Sequence, residues 1–138
     1  MDVDFLDSQL KAMEPYACGK YPGIEINYRA KVAPTSPEYP EKTGEGCERR
    51  VLAYSDDLMC VENTFKKGAV GALHHHPHTQ ITYVASGKFE FEIDGVKNIV
   101  QKGDTMLKRD NVIHGCVCLE DGVLIDMFNP YREDFVKD

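Results

Sequence analysis

Apolar and polar residues alternate along much of the chain, and the points where the alternation breaks divide it into short segments. Between Ile24 and Val32 the alternation is strict, with Ile24, Ile26, Tyr28, Ala30 and Val32 set against Glu25, Asn27, Arg29 and Lys31. A period of two marks a strand with one buried face, so a strand is predicted there. Phe5, Leu6, Leu10 and Met13 instead keep a helical period behind a capping Asp4, with Pro15 just beyond, which predicts a short helix over Asp4–Met13. The stretch 34–46 (PTSPEYPEKTGEG) has three prolines and two glycines and reads as a loop. From Glu48 onward, strands are predicted over Arg49–Tyr54, Met59–Phe65, Thr79–Ala85, Lys88–Ile93, Val96–Gln101, Thr105–Lys108, Gly115–Leu119 and Val123–Phe128. Turn residues separate them, and Asp94-Gly95 is a hairpin signal. Short strands at regular spacing with almost no helical period predict an all-β sandwich or small barrel over residues 46–138. Residues 1–45 are then an N-terminal extension packing on it.

Composition narrows the function more than the fold. A chain of 138 residues suits one domain with a real core. A net charge of −7, with no basic run able to follow a phosphate backbone, argues against nucleic acid as a partner. No apolar run approaches the ~20 residues of a membrane span. The start, Met1-Asp2-Val3-Asp4-Phe5, lacks the basic region of a secretory signal. The five cysteines, Cys18, Cys47, Cys60, Cys116 and Cys118, are odd in number and form no C-x-x-C pair, which indicates neither a disulfide framework nor a zinc ribbon. A cytoplasmic protein is expected.

The candidate chemistry lies in the histidines. Four of the five fall between Gly68 and Gly87, and the fifth is His114. The run is internal, which separates it from an expression tag. In an extended strand His74 and His76 share a face roughly 6.5–7 Å apart, and imidazoles converging from that spacing can share one cation. Gln80 follows a Pro-marked corner and offers a carbonyl oxygen. A metal site of His74, His76, Gln80 and His114 is therefore predicted. His75 points the other way and His78 sits in the corner, so both are expected to face solvent or to stand behind the ligands. Cys116 and Cys118 share the parity of His114. They read as small apolar fillers, the alternative being a thiol close enough to the metal to make the site oxidation-sensitive.

These residues resemble the cupin superfamily. Its first motif, G-x5-H-x-H-x3,4-E-x6-G, falls on Gly68, His74, His76 and Gly87, with Gln80 where glutamate is usual. Its second, G-x5-P-x-G-x2-H-x3-N, falls on Gly103 and His114, with Arg109, Asn111 and Cys118 replacing the proline, glycine and asparagine. The resemblance implies a single-domain cupin: a conical β-barrel of jelly-roll (double-stranded β-helix) topology holding one divalent metal ion, often a dimer. A narrower likeness over about residues 48–136 is to small cupins of the KdgF type, carried by RVLAYSDDLM, KKGAVGALHxHPHxQ and the closing DMFNPYREDF. Such proteins convert the ring form of 4,5-unsaturated uronates from pectin or alginate into the linear keto acid. Their closing D-x-F-x3-R pattern falls on Asp126, Phe128 and Arg132. Phe128, Arg132 and Tyr83 are the expected substrate-binding residues, and Asp126 and Arg132 the catalytic ones.

The residues themselves make that chemistry reasonable. Three neutral imidazoles and an amide leave a divalent cation its full charge, which favours Lewis-acid work or anion binding. Zinc, nickel, cobalt, manganese or iron all suit such donors. Asp126 shares a strand face with Leu124 and Phe128, a costly place for a carboxylate without a partner or a task. It is the expected general acid/base, with a buried structural acceptor as the alternative. Arg132 can clamp a substrate carboxylate, or else pair with Glu133 or Asp134; Lys108 or Arg109 could add positive field. Two rival functions stand beside this one: an iron-dependent cupin dioxygenase, and a non-catalytic, metal-dependent sugar-binding or sensing module. A homodimer is expected, with the strand Ile24–Val32 extending a sheet edge of the partner.

Overall fold

The computed structural model describes residues 40–136. Among them eight strands follow one another: β1 (Glu41–Gly44), β2 (Cys47–Tyr54), β3 (Met59–Phe65), β4 (Val70–His74), β5 (Thr79–Ile93), β6 (Val96–Gln101), β7 (Thr105–Lys108) and β8 (His114–Asn129). A single 3-10 turn, Glu133–Phe135, closes the described chain. The fold is all-β, as the alternation predicts, and no described helix is long and apolar enough to cross a membrane. The helix predicted over Asp4–Met13 and the strand over Ile24–Val32 lie outside the described residues. β1 falls within the stretch read as loop. Its residues follow the last proline of that stretch and pair with β2 through Glu41↔Arg49, where an Arg49–Glu41 ion pair of 2.9 Å adds to the ladder.

The larger difference is that two predicted pairs of strands are in fact two long ones. Thr79–Ala85 and Lys88–Ile93 form the continuous β5, and Gly115–Leu119 and Val123–Phe128 form the continuous β8. The two strands pair antiparallel along their whole length, from Thr79↔Asn129 to Ile93↔His114, with bulges around Ser86 and Lys88. Bulges bend a strand without ending it. The turn-like residues Ser86-Gly87 and Glu120-Asp121-Gly122 therefore mark a bend shared by both strands. At the bend the backbones touch: a Cβ on Gly87 would lie 2.5 Å from Gly122 Cα, and one on Gly122 would collide with Ser86 O. Only glycine fits there.

The bend gives the ribbon two arms, each in its own set of partners. Thr79–Val84 and Val123–Asn129 pair with β7 and β3, and β3 leads outward to β2 and β1. Phe89–Ile93 and His114–Cys118 pair with β6 and β4. Side chains from both arms meet in one core of Phe65, Val84, Phe89, Phe91, Cys116, Cys118 and Leu124. A smaller cluster, Met59, Val61 and Phe128, packs under Tyr131 and Phe135 of the closing segment. Along β8, His114, Cys116, Cys118, Gly122, Leu124, Asp126 and Phe128 are buried on the strand's inward parity. In an unbent strand His114 and Asp126 would stand ~40 Å apart. Folded at the bend, they line the same cavity.

Candidate functional site

The cavity has a volume of about 310 Å³ and is lined in part by His74, Gln80, His114, Asp126 and Phe128. His74 and His114 are direct partners in the β4–β8 ladder. His76 arrives by a different route from the one the strand period suggests. β4 ends at His74, and the corner at 75–78, not alternation, turns His76 inward. The corner is fixed from across the site, where Asn111 N–H donates to His76 O at 2.7 Å. Asn111 has φ of 62°, a left-handed conformation that asparagine tolerates, which explains how it stands where the cupin motif has glycine. The ring centroids lie 4.3 Å apart for His74–His114, 5.0 Å for His76–His114 and 5.6 Å for His74–His76. His75 is exposed, and a ring nitrogen of the half-buried His78 lies 3.1 Å from Tyr131 O.

The three rings can each offer one nitrogen within 4.8 Å of the others. His74 Nδ1 donates to Ala72 O at 2.8 Å and His114 Nδ1 to Val112 O at 2.9 Å. That assigns the proton to Nδ1 and leaves the Nε2 lone pair free, the arrangement of metal-bound histidines. His114 Nε2 and His76 Nδ1 are buried without any hydrogen-bond partner. Burial is the main cause that lowers both imidazoles from 6.5 to about 4, so both are neutral donors near pH 7. Gln80 completes the set. Its Nε2 donates to Asp126 Oδ1 at 2.7 Å, which turns Oε1 toward the cluster, 3.0 Å from His76 Nε2. Two ligands at right angles on one ion, each at about 2.1 Å, would sit ~3 Å apart. The orphaned Nε2 of His114, the fixed tautomers of His74 and His114 and the oriented amide of Gln80 together fit a divalent metal.

Asp126 is 5% exposed and is surrounded by donors. Oδ1 accepts from Gln80 and from the Thr82 hydroxyl, a short bond, while Oδ2 accepts from Asn63 Nδ2 at 2.6 Å. Thr82 in turn accepts from Lys108 Nζ at 2.6 Å. Phe128 is buried beside His76, with ring centroids 5.7 Å apart. Arg132 lines the cavity too, but its guanidinium is held by Asp134 through two bonds of 2.9 and 2.8 Å and lies 4.1 Å from the Phe135 ring centre. Tyr83 is not brought to the site. It follows Thr82 on β5, so its side chain leaves the opposite face, 39% exposed. Cys116 lines the cavity while Cys118 is in the core. Burial, the larger cause, pushes the Cys116 thiol up to about 12, the character of a filler rather than a nucleophile. Asn63 and Thr82 were missed from sequence, although both lie on the inward parity of their strands, with Val61 and Gln80 respectively.

One sheet folded back on itself at the bend, with three histidines gathered beside its cavity, makes this a cupin, and residues 61–128 match the Cupin domain family. Over 98 residues the chain is 49% identical to the pectin degradation protein KdgF of Dickeya dadantii (strain 3937), an alignment covering 70% of this chain and 89% of that protein. The solved structure of KdgF from Halomonas sp. matches with a TM-score of 0.68 at 40% identity, covering 70% of this chain and 89% of that one. An RmlC-like cupin from Shewanella frigidimarina NCIMB 400 matches equally, with a TM-score of 0.68 at 41% identity, covering 74% and 94%. The chain belongs to the KdgF family of small cupins.

Proposed function

We propose that this protein is a metal-dependent enzyme that converts cyclic 4,5-unsaturated uronates, released by cleavage of pectin or alginate, into their linear keto form. A relative named a pectin degradation protein supports the setting. The observation that carries the reaction is a carboxylate, Asp126, in the same cavity as the histidine cluster. A divalent ion held by His74, His76, Gln80 and His114 would supply Lewis-acid polarisation there. The protein's own groups handle the proton. Oδ1 of Asp126 is filled by Gln80 and Thr82, whereas Oδ2 has one protein donor and an acceptor direction to spare. That oxygen takes the proton of the C1 hydroxyl. The bond from C1 to the ring oxygen breaks, C1 becomes an aldehyde, and the electron pair passes to the former ring oxygen on C5. Return of the proton to C4 gives the C5 ketone, so the step is an isomerisation with nothing gained or lost. Phe128 presents an apolar wall against the sugar.

The test is to add the metal-loaded protein to freshly made unsaturated uronates and follow the loss of their enol-ether absorbance. A rate no faster than the spontaneous opening would overturn the reading. The rate should persist under argon, and a strict need for dioxygen would place the protein among the dioxygenases instead. The homodimer inferred from sequence belongs to the same reading; a monomer mass by light scattering at every concentration would remove it.

A further inference from the structure

Among the described residues, three cationic side chains other than histidine line the cavity, and two already have a carboxylate in contact. Arg49 pairs with Glu41 at 2.9 Å, and Arg132 is bidentate to Asp134. Lys108 has none. It is only 2% exposed, and it stands on β7 opposite Gln80 of β5. Its ammonium donates to the Thr82 hydroxyl at 2.6 Å and lies 5.0 Å from the Phe91 ring centre. An ammonium carries three N–H donors, and the described residues offer no acceptor for the other two. Asp126, the nearest carboxylate in the network, is reached only through Thr82. A buried cation without a direct counter-ion is costly, and an anion arriving from outside would offset that cost. Burial accordingly holds Lys108 below the usual lysine range, with Asp126 opposing.

We propose that Lys108 is the carboxylate anchor of the cavity: its ammonium, steadied by Thr82, forms the ion pair with the acidic group of the sugar. The assignment rests on the uronate reading above, which supplies the carboxylate, and it moves to Lys108 the task that sequence gave to Arg132. It also accounts for an anionic ligand entering a cavity that contains Asp126, since Lys108 balances that charge locally.

The experiment compares equilibrium binding of galacturonate and its neutral methyl ester to the full, metal-loaded chain by calorimetry. Wild type should prefer the acid by about ten- to a hundredfold, the range of a desolvated charge-assisted contact. Lys108→Met should bind the two nearly equally, with ester affinity close to wild type and metal content unchanged. Lys108→Gln keeps a donor for Thr82 without the charge and should behave the same way, which covers a Met variant that fails to fold. Preference for the acid surviving in either folded variant would overturn the proposal. So would equal weakening of acid and ester, the mark of a purely structural lysine, or a wild type with no preference. If the preference depends on Lys108 but unsaturated uronates are not turned over, the ring-opening reading fails and the anchor stands. Turnover with a preference indifferent to Lys108 is the reverse.

Discussion

A carboxylate that accepts from Asn63, Gln80 and Thr82 has had most of its water replaced by fixed donors, and only one acceptor direction is left for a substrate. Asp126→Asn therefore tests the base with little disturbance, because Asn63 can turn its amide to receive the new NH2. It should lower kcat by roughly 10²–10⁴-fold with KM and metal content nearly unchanged; wild-type turnover would remove Asp126 from the reaction. His76→Ala or His114→Ala should each abolish stoichiometric metal, read by elemental analysis, while leaving a folded barrel. Full occupancy in both would refute the site. At this scale the sequence was legible wherever residue type alone narrows the chemistry, as for the histidines and Asp126. Orientation was less legible. Sequence left Arg132 either a clamp for substrate or a partner of Glu133 or Asp134, and its fork lies on Asp134, while strand parity turns Tyr83 outward. Lys108 was legible only as a nearby positive charge, although its spacing from the buried Met106 already set it on the inward face.

The bent ribbon of β5 and β8 is the element on which the site depends, since it brings His114 and Asp126 from opposite ends of one strand to one cavity. Sequence divided each strand in two because Ser86-Gly87 and Glu120-Asp121-Gly122 carry the composition of turns. Local composition cannot distinguish a turn that ends a strand from a bend that redirects it, because the continuity lies in the ladder between partners distant in sequence. Of the other strands, β3, β6 and β7 were legible to the residue, β2 starts two residues before its predicted range, and β1 and β4 were not among the predicted strands. Gly122→Ala tests the bend directly. A methyl group there meets Ser86 O and the Phe89 ring, neither free to move far, so a loss of ~2–3 kcal/mol is expected in urea unfolding. A variant as stable as wild type would mean that the contact is loose. Gly95, by contrast, has a positive φ, which Gly122 does not, but meets nothing within 4 Å, and its replacement carries only the cost of the backbone conformation.

At the scale of the whole molecule, the buried imidazoles couple folding to pH. In the folded metal-free protein His76 and His114 titrate at about 4, below the 6.5 of an ordinary histidine, with burial the largest cause in both. Between those values the unfolded chain binds more protons than the folded one, so stability is complete above about 6.5 and falls as the pH drops toward 4. Chelator-stripped protein should therefore show a urea midpoint that declines steadily from pH 7 to pH 4.5. A flat midpoint would contradict the burial of the two rings. The ribbon has one more consequence. Gln80 lies on one arm and His114 on the other, so an ion gripped by both would act as a clasp between the two arms. Heat resistance then becomes a readout of metal supply. In a metal-starved cell the same chain would be idle and also more exposed to proteolysis, so its abundance would follow the nutrient it needs in order to work.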